Sequence, residues 1–284
     1  MVTKTVRFGE QAAVPAIGLG TWYMGENAAQ RQQEVAALRA GIDHGLSVID
    51  TAEMYADGGA EEVVGQAIRG LRDRVVLVSK VYPWHAGGAA MRHACENSLR
   101  RLQTDYLDMY LLHWRGDIPL QETVEAMEKL VAEGKIRCWG VSNLDTDDMQ
   151  ALWRTAGGEH CATNQVLYHL ASRGIEYDLL PWCQQHSLPM MAYCPLAQAG
   201  RLRNGLFQHT DIINMANARG VTVAQLLLAW VIRHPEVLAI PKAASIEHVV
   251  QNAAALDIVL SAEELAQLDR LYPPPQRKTR LDMV

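Results

Sequence analysis

The chain has 284 residues, of which 49% are hydrophobic and 20% are charged, a balance typical of a globular protein with a sizeable core. Its net charge is −6 and it has no basic block, which argues against nucleic acids and anionic membrane surfaces as partners. The five cysteines are odd in number and form no Cys-x-x-Cys pair, so we expect free thiols rather than a disulfide framework or a zinc site.

The free thiols fit a reducing cytosol, and the apolar residues predict neither a signal peptide nor a membrane span, so we expect a cytoplasmic protein. The start, residues 1–8, lacks the apolar segment of a signal peptide. The longest apolar run, residues 221–232, is interrupted by Thr222 and Gln225 and is too short to span a bilayer. A small molecule therefore remains the expected partner.

Eight short apolar runs, each followed by a helical pattern, come after an N-terminal segment that predicts a β-hairpin at residues 4–17. The predicted strands are residues 17–22, 48–49, 75–80, 106–113, 136–141, 162–166, 190–193 and 237–240. The predicted helices are residues 28–44, 61–68, 89–102, 120–132, 146–153, 176–186, 210–219, 223–233 and 246–256, with an additional C-terminal helix at 261–271.

Eight strand–helix units in a chain of this length predict an α/β protein, a single (β/α)₈ TIM barrel with an N-terminal hairpin and additional C-terminal helices. Such apolar strands need cover on both faces, which favours a parallel sheet. The main alternative is an open, doubly wound sheet, but no Gly-x-Gly-x-x-Gly motif follows a strand. With no linker and no repeat, residues 1–284 are expected to form one domain.

Polar side chains stand at the ends of the predicted strands, where a barrel of this kind carries its active site. In strand order they are Thr21 and Trp22; Asp50, with Tyr55 beyond it; Lys80; His113 and Trp114; Ser142 and Asn143; Asn164 and Gln165; Tyr193; and Lys242. Each one alone fits a turn, a helix cap or a solvated strand end. Together they indicate a functional site, because an apolar barrel needs no such set.

Four of these side chains, Asp50, Tyr55, Lys80 and His113, predict acid catalysis on a carbonyl oxygen. Asp50 and Lys80 end neighbouring strands and can pair, and an ammonium beside Tyr55 is expected to lower the phenol pKa from about 10. Tyr55 would then donate a proton, and His113 would supply a second hydrogen bond to the same oxygen. Reduction of that carbonyl would need hydride from a cofactor.

The chain resembles the aldo-keto reductases over almost its whole length, and within them the bacterial members that reduce methylglyoxal and related aldehydes. The segments that carry the resemblance are Gly18-Leu19-Gly20-Thr21-Trp22, Asp50-Thr51-Ala52 with Tyr55, Lys80, Leu111-Leu112-His113-Trp114, Gly140-Val141-Ser142-Asn143, Asn164-Gln165-Val166, Tyr193-Cys194-Pro195-Leu196 and Ile240-Pro241-Lys242. The resemblance implies that Asp50, Tyr55, Lys80 and His113 are the catalytic tetrad of the family, with Tyr55 the proton donor.

The same resemblance implies an NADPH site. Ser142, Asn143 and Gln165 match residues that hydrogen-bond the nicotinamide carboxamide, and Tyr193 matches the residue that stacks on its ring. The other positions implied in cofactor binding are Gly20, Thr21, Trp22, Asp50, Pro195, Leu196, Gln198, Arg201, Leu202, Lys242, Ser245, His248, Gln251 and Asn252. Residues 196–207 match the loop that folds over the pyrophosphate, and Lys242 and Ser245 match the residues at the 2′-phosphate.

Departures from the family pattern bear on the cofactor and on the pocket. His248 replaces a common Arg, which removes a bidentate phosphate clamp, so NADPH is expected with NADH at lower preference. The implied substrate pocket is aromatic and suits small aldehydes and dicarbonyls. Its residues are Trp22, Tyr55, Trp84, His113 and Trp114. The tail, residues 272–284, is short and is expected to leave the site open, and the family implies a monomer.

Two alternative functions remain open at this point. The chain could be a nicotinamide-binding redox sensor or regulatory subunit with little turnover. It could also be an aldolase that uses Lys80 as a Schiff-base amine, although pairing with Asp50 would keep that amine protonated.

Overall fold

The structure is a computed structural model that describes residues 4–284. The first residues of the segment used to argue against a signal peptide, residues 1–3, lie outside the described residues. The strands are β1 (Thr5–Val6), β2 (Val14–Pro15), β3 (Leu19–Gly20), β4 (Val48–Asp50), β5 (Val76–Val81), β6 (Leu107–Leu112), β7 (Ile136–Ser142), β8 (Asn164–Leu167), β9 (Met190–Tyr193) and β10 (Val237–Ala239).

Helices alternate with these strands from β3 onward. They are α1 (Arg31–Asp43), α2 (Gly59–Ala67), α3 (Gly88–Leu102), α4 (Leu120–Ala132), α5 (Thr146–Trp153), α6 (Leu179–Gln185), α7 (Arg201–Phe207), α8 (Thr210–Arg219), α9 (Val223–Val231), α10 (Ile246–Ala254) and α11 (Ala262–Leu271). Short 3₁₀ or turn segments lie at Ala28–Gln30, Tyr55–Gly58, Arg72–Arg74, Pro83–His85, Gly158–His160, Gly174–Glu176 and Ala255–Asp257.

Strands β3 to β10 form one parallel sheet in sequence order, and the sheet closes on itself. The closing contacts are isolated parallel bridges from Ile17 to Ala239 and from Gly20 to Lys242. The Gly18 N–H donates to the Ala239 carbonyl at 2.8 Å across the same seam. The predicted (β/α)₈ barrel is therefore confirmed, while the assignment of residues 1–284 to one domain stays a prediction.

The predicted hairpin is also confirmed, as the antiparallel pair β1 and β2. It covers the N-terminal end of the barrel: the Gln11 side chain donates to the carbonyl of Asp108 at the start of β6, 3.0 Å away. Phe8 between the two strands is buried in the core. Because the hairpin covers this end, the open end of the barrel is the one at which the strands finish.

Two predictions of local structure are wrong. Residues 201–207, expected to be loop, form α7. Asn164 and Gln165 begin β8 instead of ending the sixth barrel strand, because neighbouring strands are staggered: Ser142 at the end of β7 pairs with Gln165 at the start of β8. The stagger still leaves Gln165 level with the end of β7.

Within residues 4–284, no single helix has the length and apolar character needed to cross a bilayer. The pair α8 and α9 meets that test only when the two helices are counted together, across a bend of 93°.

Candidate active site

The strand ends surround a cavity of about 520 Å³ at the open end of the barrel, which we call the mouth. Most of the predicted site residues line it: Gly20, Thr21, Trp22, Asp50, Tyr55, His113, Trp114, Ser142, Asn143, Gln165, Tyr193, Pro195, Leu196, Gln198 and Lys242. The barrel closure explains this convergence, since the carboxyl ends of parallel strands meet on one side.

Lys80 lies beneath the cavity and joins two other members of the predicted tetrad. Its Nζ donates to Asp50 Oδ2 at 2.8 Å, to the Tyr55 hydroxyl at 3.0 Å and to the Thr51 carbonyl at 2.9 Å. The Lys80 side chain is fully buried and Asp50 is nearly so. The three protons of the ammonium are thus matched by three acceptors, which fixes the ammonium in place.

Asp50 is held from a second side by Gln165. The Gln165 Nε2 donates to Asp50 Oδ1 at 2.8 Å, so each carboxylate oxygen accepts one side-chain hydrogen bond. The Thr21 hydroxyl donates to the Asp50 carbonyl at 2.9 Å. Side chains from β4, β5 and β8 are therefore tied together under the mouth.

His113 lies beside the Tyr55 ring, with ring centroids 5.8 Å apart in an edge-to-face arrangement. Burial, followed by the nearby Lys80 charge, lowers the pKa of His113 from 6.5 to about 2, so the imidazole is neutral. Its buried Nδ1 has no hydrogen-bond partner among the described residues. A neutral imidazole donates one hydrogen bond, which suits it to polarise a carbonyl without giving up its proton.

The expected direction of the Tyr55 pKa is wrong. Burial and the Asp50 carboxylate raise it well above 10, outweighing the adjacent ammonium, because a phenolate there would be desolvated. Burial also lowers the pKa of Lys80, an effect that the Asp50 and Glu61 carboxylates oppose. Tyr55 is consequently a neutral phenol over the whole working range of pH, and a proton can leave it only when an acceptor comes within reach.

Amide and hydroxyl groups from β7 and β9 form the opposite wall of the cavity. Asn143 has a left-handed backbone (φ 57°), and its Nδ2 donates to the His113 carbonyl at 3.1 Å. The Tyr193 hydroxyl donates to Asn143 Oδ1 at 2.8 Å, and the Ser142 hydroxyl donates to the Gln165 carbonyl at 2.8 Å. A wall of donors and acceptors beside an aromatic ring is suited to a flat heteroaromatic amide such as nicotinamide.

The cavity also has a cationic rim. Lys242 lines it with an exposed side chain and makes no ion pair with any residue of 4–284. Helix α10 begins just beyond, with the Ser245 hydroxyl accepting from the His248 N–H. A lone ammonium near a helix N-terminus suits a phosphate group, so the described residues fit a nicotinamide dinucleotide phosphate. No group of three or more metal-ligating side chains occurs in the same range.

Several predicted residues do not line this cavity. Trp84 is 58% exposed and stacks on Tyr82, with ring centroids 4.3 Å apart, so the structure does not place it in the substrate pocket. The predicted adenosine and pyrophosphate residues that lie outside the lining are Arg201, Leu202, Ser245, His248, Gln251 and Asn252. Their role in cofactor binding stays a prediction.

The cavity has lining residues that the sequence did not indicate, most importantly Met283 and Val284 at the C-terminus. The tail that carries them is anchored by Lys278, which pairs with Asp145 and with Asp178, the latter at 2.8 Å. The tail does not lie away from the site but folds back and forms part of the rim of the mouth, while the expectation that it leaves the site open stays a prediction. No local sequence pattern could have found this contact, which spans more than a hundred residues.

Other lining residues were not assigned individually from the sequence, although they flank residues that were. They are Tyr23, Met54, Cys194, Ala197, Ala199, Arg203, Ile240 and Pro241. Tyr23 accepts a 2.8 Å hydrogen bond from Gln198, which joins the loop after β3 to the loop after β9 across the mouth. Cys194, Ile240 and Pro241 belong to segments that carry the family resemblance, and residues 197, 199 and 203 belong to the loop matched to the pyrophosphate. For Tyr23 and Met54, adjacency to predicted site residues was the only available signal.

The chain matches known proteins along its whole length. The model of the Aldo/keto reductase family matches residues 16–273. The methylglyoxal reductase YeaE of Escherichia coli K12 is 66% identical over 284 residues, all of both chains. Two crystal structures of an aldo/keto reductase from Klebsiella pneumoniae also match, and each match covers all of this chain and all of the crystallised chain. One, with NADP and acetate, is 94% identical with a TM-score of 0.98. The other, with NADPH, is 95% identical with a TM-score of 0.99.

Proposed function

Since this chain belongs to the aldo/keto reductase family, we propose that it uses NADPH to reduce small aldehydes and dicarbonyls such as methylglyoxal to alcohols. The observation that carries the proposal is the Tyr55 hydroxyl at the mouth, 3.0 Å from the buried ammonium of Lys80. The activity of the Escherichia coli relative and the NADP and NADPH complexes of the Klebsiella structures support the choice of substrate and cofactor.

In the proposed reaction, Tyr55 gives its hydroxyl proton to the carbonyl oxygen of the substrate. The Lys80 ammonium lies where the phenolate forms and stabilises it, and Asp50 keeps that ammonium oriented. His113, neutral and at the cavity wall, donates a second hydrogen bond to the same oxygen. Bound NADPH would supply the hydride that the carbonyl carbon needs.

We propose that Ser142, Asn143 and Gln165 hold the nicotinamide carboxamide and that Tyr193 stacks on its ring. These four residues line the same side of the cavity, and the three polar ones already share hydrogen bonds. Lys242 and Ser245 would hold the 2′-phosphate. The absence of an Arg at position 248 predicts that NADH is also used, at lower preference.

The substrate end of the proposed site is aromatic. Trp22 stacks on Tyr55 with ring centroids 6.2 Å apart, and Trp114 lies 4.9 Å from His113 by the same measure. Such walls accept small apolar carbonyl compounds and offer few groups for selecting among them. We propose that the chain acts on them as a cytoplasmic monomer, without a nucleic-acid or membrane partner.

The two alternative functions are less favoured. A redox sensor without turnover has no specific observation in its support, and the relative described above is a reductase. An aldolase mechanism would need an accessible neutral amine at Lys80, whereas this amine is fully buried and hydrogen-bonded to Asp50.

The decisive experiment measures the loss of NADPH absorbance at 340 nm with methylglyoxal and a panel of aldehydes, with NADH assayed side by side. We expect saturable turnover with NADPH, weaker turnover with NADH, and loss of both in Tyr55→Phe. An inactive wild-type enzyme across the whole panel, or full activity in Tyr55→Phe, would refute the proposal.

A further inference from the structure

The backbone directly after Tyr55 is unusual. Ala56 (φ 51°, ψ 37°) and Asp57 (φ 51°, ψ 46°) both have left-handed conformations, and Gly58 follows with φ 88°. Residues with a Cβ atom disfavour this region, so neighbouring contacts must hold the turn in place. Those contacts determine where the Tyr55 ring lies.

Arg101, at the end of α3, supports this turn from below. A Cβ atom at Gly58 would lie 2.5 Å from Arg101 Cδ and 2.6 Å from its Nε, so the side chain fits only because position 58 is glycine. The backbone of the turn therefore rests directly on the Arg101 side chain.

Glu61, in the first turn of α2, holds Arg101 in that position and connects it to the strand that carries Lys80. Its Oε2 accepts from Arg101 Nε at 2.6 Å, and its Oε1 accepts from the Ser79 hydroxyl at 2.6 Å. The Glu61 side chain is fully buried, and Ser79 precedes Lys80 in β5. The Glu61 carboxylate thus links β5, through Ser79, to the turn after Tyr55, through Arg101.

The turn is also confined from the opposite side, by the loop after β3. A Cβ atom at Gly25 would lie 2.4 Å from the carbonyl carbon of Gly59, so the two backbones touch. The Gly25 N–H in turn donates to the buried carboxylate of Glu34 at 3.0 Å. The turn is therefore packed between the Gly25 backbone on one side and the Arg101 side chain on the other.

We propose that Glu61 is a positioning residue for the reduction: through Arg101 and Ser79 it holds the Tyr55 hydroxyl within hydrogen-bond distance of the Lys80 ammonium. This inference rests on the proposed function, in which Tyr55 gives the proton. Glu61 does not line the cavity, so it acts only through the residues that it orients.

The adjacent residue provides a matched control. Glu62 is in the same turn of α2, but its side chain is 49% exposed and pairs with Arg31 at the surface. Glu61→Gln and Glu62→Gln each remove one negative charge at neighbouring positions. Only Glu61→Gln alters the buried hydrogen bonds to Arg101 and Ser79.

We expect Glu61→Gln to lower kcat with methylglyoxal by about 10- to 100-fold, because a misplacement of up to about 1 Å in an active site costs as much as about 10²-fold in rate. Its KM and its Kd for NADPH, measured by fluorescence quenching, should change less than about twofold. Glu62→Gln should match the wild type in all three quantities. A merely structural role would lower Tm and leave kcat of the folded enzyme unchanged at 25 °C, which would overturn the inference.

Crystal structures of both variants provide a readout that does not depend on turnover. We expect the distance from Tyr55 Oη to Lys80 Nζ to exceed hydrogen-bond length in Glu61→Gln and to stay near 3.0 Å in Glu62→Gln. An unchanged distance in Glu61→Gln would overturn the inference even if the wild type proved inactive, so the two proposals fail separately. If Glu61→Gln does not fold, Ser79→Ala replaces it in both measurements, with the same expected direction and the same refuting result.

Discussion

The Lys80 ammonium donates a 3.0 Å hydrogen bond to the Tyr55 hydroxyl oxygen, and both side chains are buried. Because the oxygen accepts from the ammonium, the hydroxyl hydrogen remains available for a substrate oxygen in the cavity. Tyr55 is therefore a neutral proton donor before the reaction, and the Lys80 ammonium provides a fixed positive charge that stabilises the phenolate formed when the proton leaves.

Removing the proton donor should stop the reaction without removing the cofactor site. For Tyr55→Phe we expect kcat to fall by about 10³-fold, since a positioned general acid contributes on the order of 10² to 10⁴. The 340 nm assay measures this loss, and fluorescence quenching should give an unchanged Kd for NADPH.

Tyr23→Phe is the control for that variant. Tyr23 also lines the cavity, but it is 46% exposed and its hydroxyl contacts only the Gln198 side chain among the described residues. We expect kcat within about threefold of the wild type. Equal losses in the two variants would contradict the role assigned to Tyr55.

The buried pair of Asp50 and Lys80 should also be essential for stability. Asp50→Asn leaves the Lys80 ammonium buried without a carboxylate, and breaking such a pair costs about 3–5 kcal/mol. Urea unfolding measures this free energy. Glu62→Gln, which breaks the surface pair with Arg31, should cost no more than about 1 kcal/mol, and similar costs for the two variants would contradict the prediction.

Acid should destabilise the fold through imidazoles that are buried and neutral. Burial lowers the pKa of His169 from 6.5 to about 4, and burial with Lys80 lowers that of His113 to about 2. Below pH 6.5 the unfolded chain therefore binds more protons than the folded chain, and the free energy of unfolding falls as the pH falls. Each group contributes about 1.4 kcal/mol per pH unit until its folded pKa is reached.

Urea unfolding between pH 7.5 and 4.5 tests this linkage. In His169→Gln we expect the fall below pH 6.5 to be shallower by about 1.4 kcal/mol per pH unit, since one titrating group is gone. Parallel stability curves for the variant and the wild type over this range would contradict the prediction.

The C-terminal tail should limit the size of accepted substrates. Deletion of Met283 and Val284 removes part of the cavity lining, so we expect kcat/KM for a bulky aromatic aldehyde to rise about tenfold relative to methylglyoxal. Ser172→Ala, which removes the 2.5 Å bond to Asp282 while keeping the tail, should give a smaller shift in the same direction. An unchanged ratio in the deletion variant would show that the tail does not restrict the pocket.

Local sequence pattern was sufficient for most of the barrel and for the composition of its mouth. The bounds of α4, α5, α8 and β9 follow from apolar periodicity, because each element buries one face or both against its neighbours. Asp50, Lys80 and His113 could be predicted to converge because they end successive strands, and the carboxyl ends of parallel strands meet on one side.

Only the tertiary structure decided those features that depend on contacts between distant parts of the chain and on the exclusion of water. The stagger between β7 and β8 places Gln165 near the start of a strand. The C-terminal tail contributes to the lining of the mouth. Glu61 accepts hydrogen bonds from Arg101 and Ser79. Burial, not the neighbouring ammonium, set the direction of the Tyr55 pKa. A local pattern indicates which face of an element is apolar. It does not indicate which remote element covers that face or how much solvent the contact removes, and those two quantities determine the electrostatics of the site.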